Sequence, residues 1–232
     1  MIEEQSSVAE WHPKATTLLV ASLRSPMLRL LVTIDLLLIL MHVNVALSPD
    51  EVQGAWSDFF RIDRDLSLSE WFETAMMSAA IMMIVADARR LRRPCYLLLA
   101  VLLTAMLLDN VVGGHEKVGA WLAPEKRAVG EFALVAATTM VFAALACLAH
   151  RWARANERSG LGAMLIVLAV FALFAVAVDF MHELALALGP AIYAALAVVE
   201  EGGELLSLSV LLALVSHLTR SAPVGTPFGK LA

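Results

Sequence analysis

The chain has 232 residues, 60% of them hydrophobic and 17% charged, with a mean hydropathy of +0.77 and a formal net charge of −5. Soluble domains are roughly half apolar and about a quarter charged, so this composition excludes a disordered chain, and the negative balance without a basic stripe excludes a nucleic-acid partner. Two cysteines in a chain of this length exclude a disulfide scaffold.

The apolar runs reach the ~20 residues needed to cross a ~30 Å hydrocarbon core. Lipid offers no water to backbone polar groups, so a spanning segment is either a helix or a strand of a closed barrel. The runs are rich in Leu, Ala, Met and Val and do not alternate, which selects helices. The sequence therefore predicts an all-α fold, a polytopic membrane bundle of about six transmembrane helices near 27–47, 68–88, 95–116, 128–149, 161–187 and 191–217. They are arranged as three hairpins in one domain, 27–217, with the lipid bilayer as surroundings. Residues 1–26 and 218–232 are expected as cytoplasmic flanks.

Residues 1–26 open with Met1-Ile2-Glu3-Glu4, acidic where a secretory signal is basic, and Leu18-Leu19-Val20 is short for a signal's apolar core. Pro13 near a helix start, with Trp11, Leu18, Leu19 and Leu23 available for one face, suits an interfacial helix; the rival expectation is a loose tail. The first span carries Asp35 and His42 and leads into an acidic connection with Asp50, Glu51, Asp58, Asp63 and Asp65. The second opens on Ser67-Leu68-Ser69-Glu70, which fits a capping box, and carries Glu73. It ends in Arg89, Arg90, Arg92 and Arg93, beside which an interfacial ion pair explains Asp87.

The third span carries Asp109 and ends on His115-Glu116. After Glu125, Lys126 and Arg127, the fourth carries Glu131 and ends near Arg151, Arg154 and Arg158. The fifth holds Asp179, His182 and Glu183. The sixth holds Glu200, Glu201 and Glu204 beside Gly202 and Gly203, which permit close approach of a neighbouring backbone. Short cytoplasmic loops collect Lys and Arg. The arginine-rich connections, with Arg24, Arg29, Arg220 and Lys230, therefore put both termini in the cytoplasm of a bacterium's inner membrane and the acidic connections on the periplasmic side. Cys95 and Cys147 then face a reducing compartment and read as packing residues. His150 and His217 read as helix-end cations, and Met76, Met77, Met82 and Met83 as packing.

A loose internal repeat runs through this pattern. Each rising helix carries an Asp and then a His near its outer end, and each descending helix carries Glu near its start; His115-Glu116 and His182-Glu183 are its closest parallel. Ionisable groups inside spans cost at least ~2.5 kcal/mol each and mark functional sites. Residues three, four or seven apart share a helix face. Asp35 with His42, Asp109 with Glu116, Asp179 with His182 and Glu183, Glu70 with Glu73, and Glu200 with Glu204 all do so. Glu201 points elsewhere. A seven-residue spacing covers ~10 Å along the axis, more than one ion spans, so two layers of ligands or a short polar pathway is expected.

Crowded carboxylates repel one another, and a divalent cation relieves the repulsion. Mixed Glu, Asp and His sets in helical bundles are typical of di-iron and di-manganese proteins, although the Glu-x-x-His pairing of those bundles is absent here. Imidazole suits zinc and iron, and carboxylate suits manganese. The sequence thus points to a divalent transition metal (iron, manganese or zinc), with one or two ions. The candidate ligands are Asp35, His42, Glu73, Asp109, His115, Glu116, Glu131, Asp179, His182, Glu200 and Glu204. Glu201 and Glu183 are the candidates for general acid or base.

The leading expectation is a membrane-embedded metal-dependent enzyme, an oxidoreductase or a hydrolase acting on a lipidic or small substrate. A transporter or channel for divalent cations or protons is the alternative. A third reading is a non-catalytic subunit, in a homo-oligomer or a larger membrane complex, whose buried acids pair with a partner.

Overall fold

A computed structural model describes residues 14–48, 55–62, 64, 66–123, 125, 127–185 and 187–221. Every regular element among them is helical. In chain order these are α1 (Ala15–Leu23), α2 (Pro26–Ala46), α3 (Ala55–Phe60), α4 (Leu68–Leu91), α5 (Pro94–Val112), α6 (Gly114–Leu122), α7 (Arg127–Trp152) and α8 (Ala155–Ala172). A π-helical segment (Leu173–Val178), α9 (Asp179–Ala185) and α10 (Pro190–Ser221) follow.

Local chemistry sets the boundaries. Ser25 accepts from Leu28 N at 3.1 Å and precedes Pro26, whose fixed φ and missing N–H suit the first turn of α2. Ser67 accepts from Glu70 N at 3.3 Å and starts α4, while the Glu70 carboxylate reaches back to Leu66 N. The expected capping box is thus present, with its return bond one residue before the cap. Gly113, at φ 60°, ends α5 in the left-handed conformation that costs glycine nothing, and α6 begins at once. The expected span 95–116 therefore stops at Val112, and its last residues belong to a separate short helix.

Among the described residues five helices are long and apolar enough to cross a membrane: Pro26–Ala46, Leu68–Leu91, Pro94–Val112, Val129–Trp152 and Glu157–His182. Their outward faces carry large bare side chains such as Leu36, Leu40, Val101, Met140 and Leu173, more apolar surface than a water-soluble monomer exposes. The protein is an all-helical membrane protein. The sixth expected span is part of α10, which has 32 residues and is the hub of the bundle. It packs on α1, α2, α4, α8, the π-helical segment and α9.

Two sequence expectations come out differently in detail. Helix α2 lies mainly on α10 and touches α4 only slightly, so the first expected hairpin is loose. Residues 15–23 are not a loose tail. They form α1, which docks on α8 and α10 with Leu18 and Leu19 against the core and Ser22 fully buried. Trp11 and Pro13, and the 222–232 end of the C-terminal segment, lie outside the described residues.

The core is dense toward one end of the bundle. Ile84, Leu99, Leu103, Met164, Leu205, Leu208, Leu211 and Leu214 are all essentially inaccessible. At that end Asp87 accepts from Arg93 at 3.2 Å and from Arg90 at 3.4 Å, the ion pair expected at the basic border. The other half of the bundle is less filled, and the acids gather there.

Candidate functional site

A cavity of about 650 Å³ opens between α4, α5, α7, the α8–π segment and α10. Its polar wall is acidic. Glu70 and Glu73 come from α4, Asp109 from α5, Asp179 from the start of α9, and Glu200, Glu201 and Glu204 from α10. Arg64 and Asn110 complete that wall.

The helices bring these groups together for identifiable reasons. On α10 the positions Tyr193, Ala197, Glu200, Glu204, Leu208 and Leu211 recur at three, four and seven residues and so fall along one side. That side is apolar and buried in its C-terminal half and acidic where it meets the cavity. Gly202 and Gly203 let neighbours in close. Ile39 of α2 packs over Gly202, and the Phe174 ring lies where a Cβ on Gly203 would stand. The contact is side chain to glycine, not the backbone-to-backbone approach the sequence suggested.

Phe174 belongs to the π-helical turn. Such a turn takes one more residue than an α-turn, so the residues after it are rotated relative to a straight continuation. Asp179 and His182 follow directly on that turn and meet α10.

One atom from each of Asp179, His182 and Glu200 lies within 4.8 Å of the others. A transition ion with bonds of about 2.0–2.2 Å spans atoms up to roughly 4.4 Å apart, so the three groups stand close to ligand spacing, and an ion held by all three would take the place of the direct His182–Glu200 contact. His182 Nδ1 and Glu200 Oε2 are 2.6 Å apart. A carboxylate only accepts, so Nδ1 carries the proton and Nε2 keeps its lone pair. Nε2 is buried and has no hydrogen-bond partner. A carboxylate that orients an imidazole so that its other nitrogen is free is the usual setting of a metal-ligating histidine. Tyr193, seven residues before Glu200, lays its ring 4.0 Å from the imidazole and holds it from the other side.

Glu73 is the second orphan. It is 6% exposed, it lines the cavity, and its Oε1 has no partner. It stands within Coulombic reach of Glu201, Glu70 and Asp35, and Glu204 stands within reach of Glu73, Glu200 and Asp179. The acids form one electrostatic unit whose mutual repulsion calls for a compensating cation or protons.

The expected ligands therefore divide. Glu73, Asp109, Asp179, Glu200 and Glu204 line the cavity, with His182 bonded behind Glu200. Glu201 was expected to point away from its neighbours but lines it too, because a space this wide is bordered by more than one face of α10.

Asp35 does not reach the cavity wall. It is fully buried, Oδ2 accepts from Ser209 at 2.7 Å, and Oδ1 has no partner. His42 is buried and Nδ1 accepts from Ile62 N at 3.2 Å, tying the segment before α4 to α2. Glu131 lies against Gly119 where α6 folds onto α7 and does not line the cavity. The side chains of His115, Glu116 and Glu183, and the connecting acids Asp50, Glu51, Asp63 and Asp65, lie outside the described residues.

Some groups escaped the sequence reading. Arg64 sits outside any helical period, and Ser209 meets Asp35 across 174 residues, where no local spacing applies. Tyr193 was accessible in principle, since seven residues separate it from Glu200.

No curated protein and no solved structure matches the chain. The model of one family, described as a domain of unknown function (DUF8692), matches residues 29–218, almost the whole bundle. The chain belongs to the DUF8692 family.

Proposed function

We propose that the protein is a membrane-embedded metal-dependent enzyme, an oxidoreductase or a hydrolase, that holds one or two divalent transition ions (iron, manganese or zinc) in the acid-lined cavity. The observation that carries this reading is the meeting of Asp179, His182 and Glu200 within 4.8 Å of one another, Asp179 and Glu200 themselves lining a cavity bordered by four further glutamates and Asp109. The donor set is oxygen with one imidazole, which suits iron, manganese or zinc over copper(I). Glu201 and Glu204, beside the three-residue cluster, are placed to move protons for a metal-bound substrate or water.

The transport reading has less support. Past Glu204 the same helix continues as Leu205, Leu208, Leu211 and Leu214, all packed against other core residues. An ion leaving the cavity along the bundle axis would meet a dry core. The arginine-rich connections support a bacterial inner-membrane orientation with both termini cytoplasmic and the cavity toward the periplasm.

Elemental analysis of the protein purified in mild detergent tests the proposal. Near-stoichiometric iron, manganese or zinc in the wild type, lost in the Glu200→Ala/Glu204→Ala variant, is the expected result. Equal metal content in both proteins overturns it.

A further inference from the structure

The cavity is much larger than a metal centre needs. Its 650 Å³ falls in the range of small-molecule sites, roughly 300–1,000 Å³, and its lining is of two kinds. The rest of its lining is largely apolar, with Met106 of α5, Leu134, Val135 and Phe142 of α7, and Phe171 and Val176 of the α8–π stretch forming an apolar arm of the cavity. Leu134 to Phe142 covers about 12 Å along the axis. Thr138 also lines this stretch, but its hydroxyl is spent on the Leu134 and Val135 carbonyls at 3.0 and 2.9 Å and leaves its methyl as the distinctive surface.

The arm exists because α7 stands away from the bundle. Among its described side chains only Gly130 and Ala149, near its two ends, are buried. Gly130 is held against Gly119 O of α6. Between these two points Phe132 meets the Phe180 ring at 4.2 Å, and Leu134, Val135, Thr138, Thr139 and Phe142 border the cavity. Protein interiors are close-packed, and water does not settle in an apolar space that offers it no partners.

We propose that this arm takes the hydrocarbon chain of a single-chain amphiphile whose uncharged or cationic head lies against the carboxylates. This deepens the reading of the cavity as a metal-dependent active site by naming its substrate class. The charge of the polar end selects the head. Seven carboxylate side chains and one cationic side chain, Arg64, line that end, so an anionic head meets acceptors of its own kind, whereas a hydroxyl or ammonium head can donate to them.

The test uses the full-length protein in phosphatidylcholine nanodiscs and three 16-carbon diazirine probes that differ only in the head: alcohol, amine and carboxylate. Labelled sites are found by peptide mass spectrometry, and metal content is measured on the same samples. The alcohol and amine probes are expected to label 134–142 and 171–176 at least tenfold more than the carboxylate probe. Val135→Trp on α7 and Ala172→Trp on α8 are each expected to lower this labelling tenfold with metal content unchanged.

Labelling spread evenly over lipid-facing α2, or unchanged in whichever variant remains monodisperse, overturns the amphiphile site. So does equal labelling by the carboxylate probe. Absence of metal from every sample, with head-selective labelling intact, overturns the metal reading and leaves the binding site standing.

Discussion

His182 Nδ1 donates to Glu200 Oε2 at 2.6 Å and so ties the helix that carries the π-turn to the central helix of the bundle. Eighteen residues separate the two along the chain, and both are almost fully buried. The pair does two things at once. It satisfies one atom of each side chain, and it fixes the imidazole so that Nε2, also buried, presents a lone pair. An unpaired buried nitrogen costs stability until something binds it, and in the proposed metal site a cation would supply that partner.

Metal removal should therefore destabilise the protein. Ligand bound only to the folded state contributes RT ln(1 + [L]/Kd), about 2.7 kcal/mol at a hundredfold excess over Kd. Dialysis against a chelator is expected to lower the melting temperature in detergent, and re-addition of the native ion should restore it. In His182→Ala the melting temperature is expected not to respond to either step. A chelator response of wild-type size in that variant removes His182 from the ligand set.

Gly203 should tolerate no side chain. Its missing Cβ makes room for the Phe174 ring, and the π-turn that positions Asp179 and His182 is built around that contact. Gly203→Ala is expected to cost about 1–3 kcal/mol through overpacking and to lower metal content, because Phe174 carries the next turn with it when it moves. Phe174→Ala in the same chain should recover most of the melting temperature. Failure of the double variant to recover places the damage elsewhere on α10.

The class of fold was legible because membrane helices announce themselves through long apolar runs, and the start of α4 through the capping residue Ser67. The acidic half was legible for a related reason: Glu200 and Glu204 stand out against an apolar run, and their spacing fixes their shared side. What the sequence hid is what depends on distant partners or on broken periodicity. The π-turn at Leu173–Val178 shifts the helical phase of everything after it, and a regular 3.6-residue reading passes straight through. His42 has the same local signature as His182, an imidazole seven or three residues after an aspartate, yet one accepts a backbone N–H from Ile62 while the other leans on Glu200. Only the packing of a second element separates a structural histidine from a candidate ligand.

Asp35 provides the sharpest separation of structural from chemical roles. It shares with the cavity acids a position inside an apolar span, and the sequence groups it with the ligands. It is nevertheless walled off from the cavity, with Ser209 Oγ at 2.7 Å on Oδ2 and that same hydroxyl 3.4 Å from Met76 Sδ. Ser209→Ala removes the bond and leaves both carboxyl oxygens buried without a partner, a loss of about 1–3 kcal/mol. Replacing both ends of the contact, Asp35→Leu with Ser209→Ala, removes the buried polar pair altogether and is expected to be close to neutral. Metal content should stay at the wild-type level in both variants, since neither residue borders the cavity. A fall in bound metal with an unchanged melting temperature would show that Asp35 acts on the ion across Glu73, and the set of groups that control the site would then extend one layer deeper into the bundle.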